Sequence, residues 1–217
     1  MIKKTLSSAI RRSASGARLL TVRSLVLNGY LKDKGWIESV VRSMPVDGSG
    51  KPIPWYTYGA IDFLADRVHV DMSVFEYGSG NSTLWWGSRV RRVVSCEHDE
   101  RWHEIMKPKL PANVAYTQVA LNADGAYANT AVRQTEKFDV IVIDGRDRVN
   151  CTKASIAALT EQGSIVFDNS DRSDYESAYA FLQANNFRRL DFWGMGPINH
   201  YGWCTSVFYR SGNCFGI

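Results

Sequence analysis

The stretch "KFDVIVID", Lys137 to Asp144, limits the fold more than any other part of the chain. Its apolar residues run almost without a break, the pattern of a strand buried on both faces. Such strands belong to the interior of a parallel sheet covered by helices on each side. "SIVFDN", from Ser164, repeats the pattern after a helical stretch, "CTKASIAALTEQ", that Gly163 is expected to end.

The same alternation runs upstream. "SVFEYG", "RRVVSCE" and "VAYTQVAL" read as strands, and "STLWWGSRV" and "DERWHEIMKPKL" as the helices between them. The first of these helices is expected to be capped by Asn81 or Ser82. Downstream, "SDYESAYAFLQANN" reads as a helix, and "FRRLDFW" and "WCTSVFYR" as two strands joined by "GMGPINHYG". Strands alternating with helices predict an α/β, doubly wound, mostly parallel seven-stranded sheet. "TYGAIDFLADRV" predicts a preceding helix with Ile61, Leu64, Ala65 and Val68 on one face. "VDGSGKPIPW" is a loop, and residues 1–44 read as helical pieces. The chain therefore divides into an N-terminal helical and basic segment, 1–54, and a domain, 55–217.

Charge sits unevenly. Lys3, Lys4, Arg11, Arg12, Arg18, Arg23 and Lys32 fall before any acidic residue. Leu6, Ile10 and Ala14 can share a helical face there. A membrane-surface helix over residues 1–24, a targeting peptide and a helix packed on the domain or on a second copy all fit this composition. No stretch approaches the roughly 18 apolar residues that a spanning helix needs. The net charge of +4 is too mild to imply a nucleic-acid partner. Cys96, Cys151, Cys204 and Cys214 form no CxxC pair, so free thiols in a reducing, cytoplasmic setting are expected.

Ligands of a doubly wound sheet bind beyond the carboxyl ends of its strands. Those positions hold Glu76–Gly80, Glu97, the Asn122–Tyr127 loop, Asp144–Arg148, Asp168–Asn169 and the His200 loop. The turn "EYGSGNST" lacks the third glycine of a dinucleotide fingerprint, because Thr83 stands there, and it has no Walker lysine. Glu76 would repel a pyrophosphate but suits an ammonium group. Glu97 is placed to accept hydrogen bonds from a ribose diol. An amino acid joined to a nucleoside meets both demands, and S-adenosylmethionine (SAM) is such a molecule.

"FEYGSGNST", "VVSCEHDERW", "FDVIVIDG" and "GSIVFDN", in that order, resemble the successive motifs of class I SAM-dependent methyltransferases. The likeness covers about residues 55–210 by motif placement and implies an antiparallel final strand. It implies that Glu76, Gly78, Ser79 and Gly80 line the methionine part of SAM, that Glu97 holds the ribose, and that the 122–127 loop lies near adenine. Asp144 would touch the cofactor or the substrate. Asp168, Asn169 and Asp144 resemble the Mg²⁺ ligands of catechol-type O-methyltransferases. Those enzymes carry a lysine base after the first Asp, where this chain has Arg146 and Arg148. His200 is then the candidate base, and the two arginines are candidates for binding an acidic group. Trp55, Tyr56 and Tyr58 are candidates for covering the cofactor or the substrate.

The expected activity is methyl transfer to a small-molecule acceptor, at oxygen. The alternatives are a non-catalytic binding protein of the same fold and an NAD-dependent oxidoreductase, which Thr83 and Glu76 disfavour. Nucleic-acid methylation is not expected, because "DNSDR" lacks the Asn/Asp-Pro-Pro-aromatic motif of that branch.

Overall fold

A computed structural model describes residues 13–122 and 124–217. Its sheet has seven strands in the order β3-β2-β1-β4-β5-β7-β6. They are β1 (Ser73–Tyr77), β2 (Arg92–Glu97), β3 (Val114–Gln118), β4 (Phe138–Ile143), β5 (Leu159–Asp168), β6 (Arg188–Gly194) and β7 (Trp203–Tyr209). β1 to β5 run parallel, and β7 is antiparallel to β5 and β6. The order reverses between β1 and β4, which fixes the ligand crevice at the carboxyl ends of those two strands.

The apolar runs are buried on both faces. Phe75, Tyr77, Ile141, Ile143 and Phe167 pack into one core layer. Val74, Val140, Val142, Val166 and Val207 pack into the other, against Trp86, Tyr56 and Leu64. Each such side chain contributes about 1.5–3 kcal/mol relative to exposure.

Five helices flank the sheet: α4 (Tyr58–Ala65), α5 (Asn81–Gly87), α6 (Glu100–Met106), α7 (Arg148–Ala158) and α8 (Glu176–Ala184). Three expectations need correction. α7 stops at Ala158 rather than at Gly163, and β5 starts at Leu159, which pairs with Phe138. A register shift follows, and Gly163 lies inside the strand. A Cβ there would meet Leu159 Cδ2 at 2.7 Å and the Phe138 carbonyl at 3.1 Å, so glycine lets the irregular strand close on its neighbour. Ala65 is exposed, while Tyr58, Ala60, Ile61 and Leu64 form the buried face of α4. The N-cap of α5 is Gly80, with Asn81 and Ser82 already inside the helix.

The first helices are α1 (Ala14–Leu27), α2 (Tyr30–Asp33) and α3 (Trp36–Arg42). α1 buries none of its residues. Its exposed Leu19, Val22, Leu25 and Leu27 do not share one face, unlike the apolar side of a membrane-surface helix. Leu6 and Ile10 lie outside the described residues. Among the described residues no helix is long and apolar enough to cross a membrane.

From Trp36 onward the chain is tied to the sheet. Trp36 Nε1 donates to the Asn199 carbonyl at 2.9 Å, and Asn81 Nδ2 donates to the Pro45 carbonyl at 2.6 Å. The Tyr58 amide donates to the Met195 carbonyl at 2.9 Å. Hydrogen bonds thus cross the 54/55 division, and residues 36–55 form a strap along the crevice.

Deleting residues 1–28 is expected to change stability by less than about 0.5 kcal/mol, because none of the described residues in that stretch is buried. Trp36→Ala is expected to cost about 2 kcal/mol through lost packing and an unpaired loop carbonyl. Urea unfolding of both variants beside the full chain checks this pair.

Candidate functional site

Backbone contact between two glycines shapes the crevice floor. Gly78 has φ +92°, and a Cβ on it would lie 3.0 Å from Gly145 Cα. A Cβ on Gly145 would lie 2.1 Å from Tyr127 Oη and 2.9 Å from the Gly78 nitrogen. No side chain fits at either place. Gly80 is different. Its φ of 166° is ordinary extended backbone, and a Cβ there would meet nothing within 4 Å. Above Gly80 the turn leaves free space.

Thr83 fills the place of the missing third glycine. Its hydroxyl accepts from the Gly80 amide at 3.0 Å and donates to Glu76 Oε2. Glu76 is 1% exposed and lies beneath the turn rather than on a cavity wall. Burial pushes its carboxyl up to about 7, against hydrogen bonds from Ser82, Thr83 and Ser95 that favour the charged form. Among the described residues Glu76 Oε1 has no hydrogen-bond partner.

Glu97 ends β2 and is held from several sides. Its Oε1 accepts from the amides of His98 at 2.8 Å and Asp99 at 3.0 Å. Its Oε2 accepts from the Ser79 hydroxyl at 2.8 Å, and that hydroxyl meets Tyr116 Oη at 2.7 Å. Trp102 Nε1, on α6, donates to the Ser79 carbonyl at 2.9 Å. The acid is therefore oriented before any ligand arrives.

Arg148 organises the far wall. It is 8% exposed. It donates to the Gly145 carbonyl, to the Asp144 carbonyl and Oδ1 (each at 3.0 Å), and to the Asp168 carbonyl. Asp168 Oδ1 accepts from Trp203 Nε1 at 2.9 Å and Thr205 Oγ1 at 2.6 Å. Burial raises the Asp168 carboxyl to about 7, with the nearby Asp144 charge adding to it. Burial likewise raises Asp144 to about 6, while Arg148 opposes the rise.

Two adjoining cavities open here. One, about 500 Å³, is lined by Gly78, Ser79, Glu97, Asp144, Gly145 and Arg146 among others. The second, about 550 Å³, is lined by Trp55, Asp144, Asp168, Tyr201, Trp203 and Asn199 among others. Ser79, Trp102, Asp144, Asn169 and Arg172 border both.

The predicted residues are thus mostly brought together: Gly78, Ser79, Glu97, Asp144, Asp168 and Asn169 line these cavities, and Gly80 lines a smaller one beside Trp55. His200 is not brought in. It is exposed with its ring against Tyr201 at 5.6 Å, while its neighbours Asn199 and Tyr201 face the second cavity. The 122–127 loop contributes Tyr127, packed under Gly145. Trp102, Arg172 and Tyr201 were not singled out in the sequence. Only their positions, in the first turn after β2 and in the loops after β5 and β6, marked them.

The Mg²⁺ expectation gains no support. Among the described residues no group of three or more His, Cys, Asp and Glu is disposed to hold a metal ion. Asp144 Oδ1 and Asp168 Oδ1 face protein donors, and the Arg148 guanidinium already supplies the positive charge between these strand ends.

No protein-family model and no curated protein matches the sequence. Solved structures do. A candidate O-methyltransferase from Klebsiella pneumoniae is 13% identical with a TM-score of 0.56, over 89% of this chain and 96% of that one. Precorrin-6y C5,15-methyltransferase from Geobacter metallireducens is 16% identical with a TM-score of 0.55, over 70% and 87%. A candidate methyltransferase from Streptococcus mutans, in complex with S-adenosylhomocysteine (SAH), is 13% identical with a TM-score of 0.50, over 68% and 94%. The chain has the Rossmann-like methyltransferase fold. At these identities the likeness speaks for the fold alone.

The raised carboxyls set a pH dependence. A carboxyl whose folded pKa lies above its unfolded value stabilises the fold at low pH, and that contribution fades as pH rises through the folded value. For Glu76 the window runs from 4.5 to about 7. The ligand-free protein is expected to resist urea better at pH 5.5 than at pH 8. Glu76→Gln should flatten this trend, by on the order of 2 kcal/mol across the interval.

Proposed function

We propose that the protein is a SAM-dependent methyltransferase whose acceptor is a small molecule methylated at oxygen. The observation that carries this reading is the pre-oriented Glu97 carboxylate beside a turn left open at Gly80. An acceptor for a ribose diol and room for close backbone approach stand side by side.

The first cavity fits the cofactor. Glu97 and Ser79 would hold the ribose hydroxyls, and the Gly78–Gly80 turn would lie along the methionine part. The unpartnered Glu76 Oε1 beneath that turn is a polar atom still to be satisfied, and a bound ammonium group or a water linking to it would do so. Bound SAM supplies an electrophilic methyl group on a sulfonium.

The chain's own residues would do the rest. Asp144 borders both cavities, so it can touch an acceptor hydroxyl next to the cofactor. Its carboxyl, raised to about 6, suits a general base working near neutral pH. It would take the hydroxyl proton as the oxygen attacks. Arg148 holds Asp144 in place, and Asp168 fixes Trp203 in the acceptor wall. Positioning of acceptor against cofactor would supply much of the rate. The functional unit would be residues 55–217 together with the strap from Trp36, with a small molecule rather than nucleic acid as partner.

Calorimetry with SAH is the primary test. Wild type is expected to bind it, and Gly80→Val to lose at least 100-fold in affinity, since the side chain enters the free space. Glu97→Ala should weaken binding by roughly 1–3 kcal/mol. Asp144→Asn should lower kcat by about 10²–10⁴. Tight NAD binding with no SAH binding would overturn the reading.

A further inference from the structure

This inference rests on the reading above and concerns the acceptor. The second cavity has an unusual rim. Trp55, Trp102 and Tyr201 are 42%, 37% and 58% exposed and come from three separate parts of the chain, the strap, α6 and the loop between β6 and β7. Three large rings left in water around one opening mark a surface that a flat partner covers.

The charges around the rings are asymmetric. Asp144 and Asp168 are already engaged, through Arg148 and through Trp203 and Thr205. Arg172 is exposed, and its guanidinium makes no hydrogen bond or ion pair among the described residues, while its charge acts on the nearby Asp144 carboxyl. It borders both cavities, and Arg146 only the first. An aromatic cage for a cation would keep its carboxylates free and would not place an arginine at its mouth. A guanidinium without a partner next to flat rings instead suits a carboxylate or phosphate, which it can grip with two hydrogen bonds. Asn169 and Asn199, on the same wall, offer amide groups to hydroxyls.

We propose that the acceptor is a hydroxylated six-membered ring carrying an anionic group, with the ring face on Trp55, Trp102 and Tyr201 and the anion on Arg172. Both an aromatic acid and a sugar acid have this chemistry. The ring's hydroxyl would then be turned toward Asp144, the group shared with the cofactor cavity.

The test uses the full chain saturated with SAH and two probe pairs: 3,4-dihydroxybenzoate against catechol, and glucuronate against glucose. In at least one pair the acid is expected to bind at least tenfold tighter than its neutral partner, and the pair that shows this names the ring. Arg172→Gln should erase the preference while SAH affinity stays within twofold. Trp55→Ala should weaken the preferred acid at least fivefold. Equal binding within both pairs, or no binding of any probe, would overturn the proposal. So would a tenfold fall in SAH affinity in Arg172→Gln, which would assign that arginine to the cofactor's own carboxylate. Wild type that binds no SAH would instead bring down the methyltransferase reading, and this inference with it.

Discussion

The site depends on one buried cation. Arg148 spans the ends of β4 and β5, binding three carbonyls and the Asp144 carboxylate. Without it two acids would sit close together in a poorly solvated wall, where the Asp144 charge already raises the Asp168 carboxyl. Removing one member of such a cluster leaves an uncompensated charge and typically costs about 3–5 kcal/mol. The same side chain caps the carbonyl of Gly145, and so presses that loop toward Gly78. The floor of the crevice and its acidic wall are therefore one construction.

Local chemistry then sorts the two cavities. In the first the groups are backbone turn, hydroxyl and carboxylate, already fixed by hydrogen bonds. In the second they are rings, amides and, among the described residues, the exposed guanidinium of Arg172. Asp144 stands at the boundary. Its partial exposure, 24% for the side chain, is what separates it from the other buried acids. Asp168 is held by Trp203 and Thr205, Glu76 lies beneath the turn, and of these acids Asp144 borders both spaces.

The sheet was legible because apolar runs such as Val140–Ile143 are buried on both faces, and composition shows that directly. The end of α7 was not. Leu159–Gln162 is helix-compatible, and only pairing with β4 turns it into strand. The positions of Glu97 and Asp144 followed from strand ends. The partners of Glu97 and Asp168 did not, since Ser79 and Trp203 reach those acids from 18 and 35 residues away. Arg148 looked like a substrate arginine or a failed base. Its burial, which makes it structural, is a tertiary fact. A metal was expected on a pattern of oxygens whose orientations the sequence does not carry. His200 sat in the right loop with its side chain on the outer side.

The strap has a consequence for the making of the protein. Trp36 hydrogen-bonds the carbonyl of Asn199, 163 residues later. At about 5–20 residues per second of synthesis, the two partners emerge roughly ten to thirty seconds apart. During that interval the ring of Trp36 and the edge of the crevice wait uncovered on the ribosome. The bond between the strap and the loop before β7 thus forms only after the first five strands have been made, and a translation product that stops before that loop would lack it.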